Sequence, residues 1–596
     1  MHLQSRSLHV LAFSIAILSC VAGGCASLCH HHRWPEPTQV IADPDIIDQA
    51  LSPKCFIRPE SVELSRAEVA YALAELASEC EDERCVDHYF ESASFAWQEI
   101  QSQIRCRGKF DGRADEIYRS SLNALLIQGQ RYQRFDPTYG LRIRDMDDWS
   151  VIPCTYHGFY QSPKEFNSLV PVGNYSAKDL ENVYRQEGLG VPTVVMRTET
   201  VSGPFQRTRG AFVATLLLKS SNEQDTTTSA HPFVLELHNP IGASTILVED
   251  KEVPLAVDKS AAVARVLATT QRRYFESFIQ PGAANPQEDG LFMLEPYQPG
   301  KIPLVFIHGL LSDRLTWANM INELKACPFA NENFQIWGFQ YPTGEPFLQS
   351  AANLRRQLAL LAHLVDPDGA DLALQNIVLV GHSMGGLVSK LLIADSDDTL
   401  WNSIAKCPFE SVIMDSHTRD QFRQAVFFER SPMVSRVIFI GTPHRGSVIA
   451  QRSIGRLGSF LVEQPIDLKL SHRKLLCDNP DVFSREFSNR TPTSIDILEP
   501  SSPLLLAIDS LTVDPSVRMH SIIGHGRWMP GSGDSDGVVP VSSARKYGVD
   551  SEKLVHDKHT DLPADPMAIE EVISILREHG RATSFAPVGP TDQDNR

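Results

Sequence analysis

A chain of 596 residues, 42% hydrophobic and 8% aromatic, carries enough apolar material for a folded globular protein, and its length calls for more than one domain. A formal net charge of −18 at pH 7 excludes the broad basic footprint that nucleic acid requires, so no nucleic-acid partner is expected. Beyond the N-terminal leader there is no apolar run of about eighteen residues, the length a membrane-spanning helix needs.

In chain order, Arg6 precedes an apolar stretch from Leu8 to Leu18, too short to cross a bilayer and the length of a signal-peptide core. Residues 1–25 therefore read as a leader and 26–60 as a linker. Cys25 follows Ala22-Gly23-Gly24, and Cys20 follows Ile17-Leu18-Ser19. Small residues before a cysteine at this point resemble a bacterial lipobox, which implies an exported, envelope-located lipoprotein anchored through Cys25, or Cys20 as the alternative; simple secretion without an anchor stays open. Cys29-His30-His31-His32 has ligand chemistry but sits just behind the processing site, and we assign no metal to it. Eleven cysteines in an exported chain leave disulfide connectivity open; Cys80 and Cys85, flanking an acidic turn, pair or stay as free thiols.

Three helices are predicted over Ser65 to Ser78, Asp87 to Ile104 and Asp115 to Tyr132, each with small and large apolar residues on one face. The first two resemble a tetratricopeptide hairpin, but no 34-residue period repeats, so 61–138 reads as a plain helical subdomain. Residues 139–290 change character. Val194 to Arg197, Ala211 to Leu218 and Phe233 to Leu237 are strand-like, Ala261 to Ala268 is helical, and the whole reads as a β-rich accessory module contributing early strands to the sheet that follows.

From 291 to 582 the pattern alternates buried strands with helices. Lys301 to Ile307 is a strand ending in His308-Gly309-Leu310-Leu311. Ile377 to Val380 is a second, followed by Gly381-His382-Ser383-Met384-Gly385-Gly386 and a helix expected over Leu387 to Ala394. Strand, Gly-x-Ser-x-Gly turn and helix are the ingredients of a nucleophile elbow, so Ser383 is the candidate nucleophile. Acid and base should follow in that order. Asp536, in the loop Gly533 to Pro540 after a strand at His520 to Gly524, is the candidate acid, with Asp534 competing. His559, between the strand Lys553 to Val555 and a terminal helix from Pro566 to His579, is the candidate base, with His556 three residues earlier as the rival. The backbone N–H groups of Leu310 and Met384 are the expected oxyanion donors. His308, His382 and His444 read as loop-ordering rather than catalytic.

Phe306-Ile307-His308-Gly309, the elbow, Ile440-Gly441-Thr442-Pro443-His444-Arg445-Gly446-Ser447 and Ser535-Asp536-Gly537-Val538-Val539-Pro540 together resemble the α/β-hydrolase superfamily in its lipase and serine-esterase branch. The resemblance is to esterases related to glycosylphosphatidylinositol-inositol deacylases and to bacterial triacylglycerol lipases. It implies an α/β-hydrolase fold, a mostly parallel sheet with helices on both faces, and hydrolysis of acyl esters through an acyl-enzyme, with no metal and no organic cofactor. Two insertions, 395–433 with Trp401, Phe409, Phe422, Phe427 and Phe428, and 448–516 with the apolar stretches 455–462 and 502–508, are cap candidates over the serine, with ordinary helical packing on the sheet an equal reading of the second. Residues 583–596 read as a disordered tail. Two competing functions remain: a surface-anchored scaffold with a secondary hydrolase domain, and a peptidase or acyltransferase using the same triad.

Overall fold

The computed structural model describes residues 65–583, apart from 111, 146–147, 160–162, 174–179, 198–210, 222–230, 242–243, 270–288, 296, 448–465 and 490–492. The leader with Cys20 and Cys25, the Cys29 to His32 tract, the tail and the apolar stretch 455–462 lie outside the described residues.

Helices α1 (Arg66–Glu79), α2 (Cys85–Arg107) and α3 (Gly112–Arg131) open the described chain. Ser65 caps α1 through a capping box with Glu68, each satisfying an amide that the helix leaves unpaired. A five-stranded sheet follows, built from β1 (Cys154–His157), β2 (Phe166–Pro171), β3 (Val191–Arg197), β4 (Ala211–Ser220) and β5 (Phe233–His238) in the order β1-β5-β4-β3-β2. All neighbours are antiparallel except β1 and β5.

The helices do not form a core of their own. Trp97, Ile117, Tyr118 and Leu122 share one apolar cluster with Val195, Leu216, Leu218, Leu235 and Leu237. Tyr118 also both donates to the Leu218 carbonyl and accepts from its amide, each at 2.8 Å. A boundary near 138 thus cuts through a continuous core. The other face of the sheet is covered by α4 (Ala261–Thr269), where Ala261 and Ala262 meet Val194 and Val213. This sheet stays separate from the one that follows, contrary to the expectation of early strands joining it.

The second sheet has seven strands: β6 (Gly290–Met293), β7 (Ile302–Ile307), β8 (Phe334–Gln340), β9 (Ile377–His382), β10 (Val434–Ile440), β11 (Arg518–Gly524) and, after the hairpin β12 (Arg527–Met529) and β13 (Gly533–Ser535), β14 (Ser551–Val555). Their order is β6-β8-β7-β9-β10-β11-β14, parallel throughout except the edge strand β6. Every residue of β7 and β9 is buried, as a parallel sheet with two covered faces requires. Alternation sorts them: Val305, Ile307 and Leu379 join the cluster that includes Leu354 and Leu358 of α6 (Phe347–Val365), whereas Leu304, Phe306, Val378 and Val380 join the one with Met320 of α5 (Ala318–Ala326) and Val572 of the terminal helix α11 (Pro566–Ala582). Because the register pairs Ile307 with Gly381, Ile440 with Ile522 and Gly524 with Val555, the carboxyl ends of the central strands come out at one edge. In an open parallel sheet that edge is where a site is built.

The accessory module meets the second sheet's layer through α5: the Asn322 side chain donates to the Asn182 carbonyl, Asn182 donates to Glu323, and Ala318 packs with Leu180 and Ala264.

The first insertion departs from expectation where it is described. Trp401 of α8 (Thr399–Ile404) is buried edge-on to Phe409 at 4.9 Å, and Phe427 packs on Phe409 at the same distance. These rings form a local core and line a cleft of about 640 Å³ with Asp398, Cys407 and Arg423 rather than widening the space at Ser383. In the second insertion α9 (Ile466–Asp478) is followed by α10 (Pro503–Ser510), which buries Leu505 and Ile508. All seven described cysteines are free, Cys80 exposed and Cys85 buried.

Candidate active site

Helix α7 begins at once after the turn, spanning Met384–Lys390 rather than Leu387 to Ala394; the chain then breaks so that Ala394 can bridge Val513. Ser383 is the residue before that helix, at φ 54° and ψ −124°, a backbone region a side chain enters only against strain. The surroundings over-determine it. The Ser383 amide donates to Ile440 O at 2.8 Å and its carbonyl accepts from the Gly386 amide at 3.0 Å. Bare glycine is obligatory next door: a Cβ on Gly385 would lie 2.1 Å from Ile307 O, and one on Gly386 would lie 1.9 Å from Thr442 Oγ1.

His559 Nε2 lies 2.8 Å from Ser383 Oγ, and its Nδ1 lies 2.7 Å from Asp536 Oδ2. A carboxylate oxygen accepts, so Nδ1 carries the proton and Nε2 is left to accept from the serine. Asp536 is in turn fixed by the amides of Val538 and Val539, which donate to its Oδ1 at 2.8 and 2.7 Å. The His559 amide donates to Asp536 O at 3.1 Å, tying the two loops together. All three side chains are buried (Asp536 2%, His559 7%, Ser383 8% exposed), so their hydrogen bonds act in a low-dielectric setting.

The rival candidates stand elsewhere. Asp534 Oδ1 accepts from the amides of Gly526 and Ser535 and lies beside His525, and His556 packs edge-on to His525 at 5.2 Å. Leu310 follows Gly309, which abuts Ser383 so closely that a Cβ there would sit 2.8 Å from Ser383 Cβ. Met384 opens α7, in the turn whose amides have no intrahelical acceptor.

The three flanking histidines are all buried. His308 stacks on Tyr341 at 4.5 Å and takes Tyr341 Oη onto its carbonyl at 2.7 Å; burial pushes its imidazole down to about 4. His382 Nε2 donates to the His559 carbonyl at 2.9 Å, and burial, then the neighbouring His559, holds it neutral. His444 lies edge-on to Phe439 at 4.7 Å, and burial followed by Lys390 and Lys546 keeps it neutral too.

Sequence reasoning missed the polar tie beneath helix α7. Lys390, its last residue, is buried and donates to Asp509 O of α10 at 2.9 Å, while Lys546 reaches Asp509 Oδ1 at 2.9 Å. Burial, and then Lys546, pushes the Lys390 ammonium well below the usual lysine range. No spacing in the chain signals this contact, because Lys390 and Asp509 are 119 residues apart and Lys546 lies 37 residues further on.

Residues 304–549 match the model of the Alpha/beta hydrolase family. His559 lies ten residues beyond the match. No curated protein matches the chain in sequence. Among solved structures the chain is similar to the Bacillus licheniformis lipase BlEst2 in mature form (16% identity, 47% of this chain and 94% of that one, TM-score 0.29). It is also similar to Staphylococcus hyicus lipase (13%, 49% and 99%, 0.30) and to lipase 1 from Pelosinus fermentans (13%, 48% and 100%, 0.30).

Proposed function

We propose that the chain, whose residues 304–549 match the model of the Alpha/beta hydrolase family, is a hydrolase that cleaves carboxylic acyl esters through a covalent acyl-enzyme on Ser383. The observation that carries this reading is the unbroken hydrogen-bonded line from Ser383 Oγ through His559 to Asp536.

A serine hydroxyl is a weak nucleophile at its free pKa. His559 Nε2 takes its proton as Oγ attacks the ester carbonyl carbon, and Asp536 stabilises the imidazolium and keeps the productive tautomer. The amides of Leu310 and Met384 receive the oxyanion; losing one such donor costs roughly 10²–10³ in turnover. Collapse of the tetrahedral species breaks the bond to the alcohol, which leaves with the proton from Nε2. Water then gives a proton to the same nitrogen as it attacks the acyl carbon, and collapse breaks the bond to Ser383 Oγ, which takes the proton back from Nε2 as the acid leaves.

A fluorophosphonate label followed by a chain-length series of p-nitrophenyl esters tests the reading. Ser383 should be the labelled residue, Ser383→Ala should not label, and medium or long acyl esters should be turned over in preference to acetate. Labelling without ester turnover, but with cleavage of amides or transfer to an added acceptor alcohol, would move the assignment to a peptidase or acyltransferase. Neither labelling nor turnover would leave the scaffold reading. An exported, envelope-bound enzyme anchored at Cys25 or Cys20 is the location we propose with it, since a tethered enzyme meets water-insoluble esters at high effective concentration.

A further inference from the structure

We propose that His157, Glu236 and His238, on the accessory module and apart from the hydrolase triad, form a binding site for a divalent transition-metal ion of the zinc class. The topology of the sheet brings the three together. Glu236 and His238 are two residues apart on β5, so their side chains share a face. β1 runs parallel beside β5 with His157 opposite His238 and Thr155 opposite Glu236. The two imidazoles stack 4.6 Å apart at 17°. His238 Nε2 lies 2.8 Å from Glu236 Oε2, and His157 Nε2 lies 4.0 Å from Oε1.

The ligand atoms of all three residues fall within 4.8 Å of one another. A tetrahedral ion bound at about 2.0–2.1 Å needs neighbouring ligand atoms about 3.3 Å apart, so closing this set around an ion takes shifts of an ångström or so in side chains that already converge. Two imidazole nitrogens and one carboxylate oxygen suit zinc and its neighbours, and suit calcium or magnesium poorly. Three protein ligands leave a fourth position open. Side chains of His238 and Glu236 are 11% and 12% exposed, whereas His157 is 48% exposed, so the set has a fixed buried side and a solvent-facing side through which an ion enters.

Lys219 of the neighbouring strand β4 engages the same carboxylate. Its ammonium lies 3.1 Å from Glu236 Oε2, the oxygen that also faces His238. A metal and this ammonium compete for one carboxylate, so Lys219 sets the affinity without being a ligand.

The test uses the full chain with His30, His31 and His32 replaced by alanine, so that the leader-proximal tract contributes nothing. Zinc titration followed by calorimetry should give one ion per chain. Cobalt substitution should give the visible ligand-field bands of a four-coordinate nitrogen and oxygen site. His157→Ala, at the exposed ligand, should weaken zinc by about 100-fold or more, since losing one of three ligands does more than losing an outer-shell partner. Lys219→Met should strengthen it. Both variants should hydrolyse esters at the parent rate. Zinc binding that is absent in the parent, or indifferent to His157→Ala, Glu236→Gln and Lys219→Met alike, would overturn the proposal.

Discussion

His382 Nε2 donates to the main-chain carbonyl of His559 at 2.9 Å, so the residue before Ser383 holds the loop that carries His559. A carbonyl only accepts, which fixes the His382 tautomer with its proton on Nε2. His382→Ala removes this tie while leaving all three triad side chains in place. Turnover should fall by about 10², the scale on which a misplacement of roughly 1 Å acts, with KM nearly unchanged. Steady-state kinetics on one p-nitrophenyl ester decides it; a change confined to KM would place His382 in substrate binding instead.

Asp536→Asn should leave the fold intact, because the amides of Val538 and Val539 still find an oxygen, and should lower turnover by about 10⁴ through the wrong histidine tautomer. Asp534→Asn should not lower turnover comparably, since Asp534 serves only its own hairpin. Reversal of these two results would transfer the acid role to Asp534.

Gly386→Ala drives a methyl group into Thr442, whose Oγ1, Cγ2 and Cβ would lie 1.9, 2.7 and 2.8 Å away. Overpacking of this kind costs about 1–3 kcal/mol. The variant should melt earlier and lose activity together. Pairing it with Thr442→Gly, which removes all three atoms, should recover part of both, as read by thermal denaturation and fluorophosphonate labelling rate.

Acid should unfold the hydrolase domain through buried histidines. His308, His520 and His579 are each pushed down to about 4 by burial, with Arg436 adding to it for His520 and His579; His382 and His444 are depressed likewise. Around them stand Tyr341 at His308, and Arg436, Asp550 and Glu578 at the other two. These imidazoles are neutral when folded, whereas in the unfolded chain they bind protons below about 6.5. The unfolded state thus holds more protons between pH 6.5 and 4, and stability falls as pH falls through that window, by about 1.4 kcal/mol per unit for each histidine. Tm measured against pH should drop steeply below 6.5, and His579→Gln should flatten the slope. A flat profile between pH 7 and 4.5 would contradict it.

If the lipobox-like cysteines anchor the protein, activity should sit in the membrane fraction, and a Cys20→Ser, Cys25→Ser double change should move it to the soluble fraction. An unchanged distribution would reduce the segment to a cleaved leader or an uncleaved anchor.

Local chemistry made much of this protein legible from residue order alone. The apolar runs at Ile302 to Ile307 and Ile377 to Val380 announce buried parallel strands because such strands need no polar face, and Gly381 to Gly386 announces a tight strand-to-helix turn because only glycine tolerates the approach. The order serine, acid, histidine is what the resemblance to the α/β-hydrolase superfamily implies, which is why Asp536 and His559 could be named before their separation from Ser383 was known. What the chain could not reveal depends on contacts between distant residues. Helices α1 to α3 looked like a subdomain because each is amphipathic by itself; only packing shows that their apolar faces and those of β3 to β5 are one core. Trp401 and its neighbouring phenylalanines looked like pocket walls because aromatic content does not say which way a ring points. Lys390 with Asp509, His382 with the His559 carbonyl, and His157 with His238 lie 119, 177 and 81 residues apart, and chain entropy keeps no record of which distant groups meet until burial of the two cores fixes the loops that carry them.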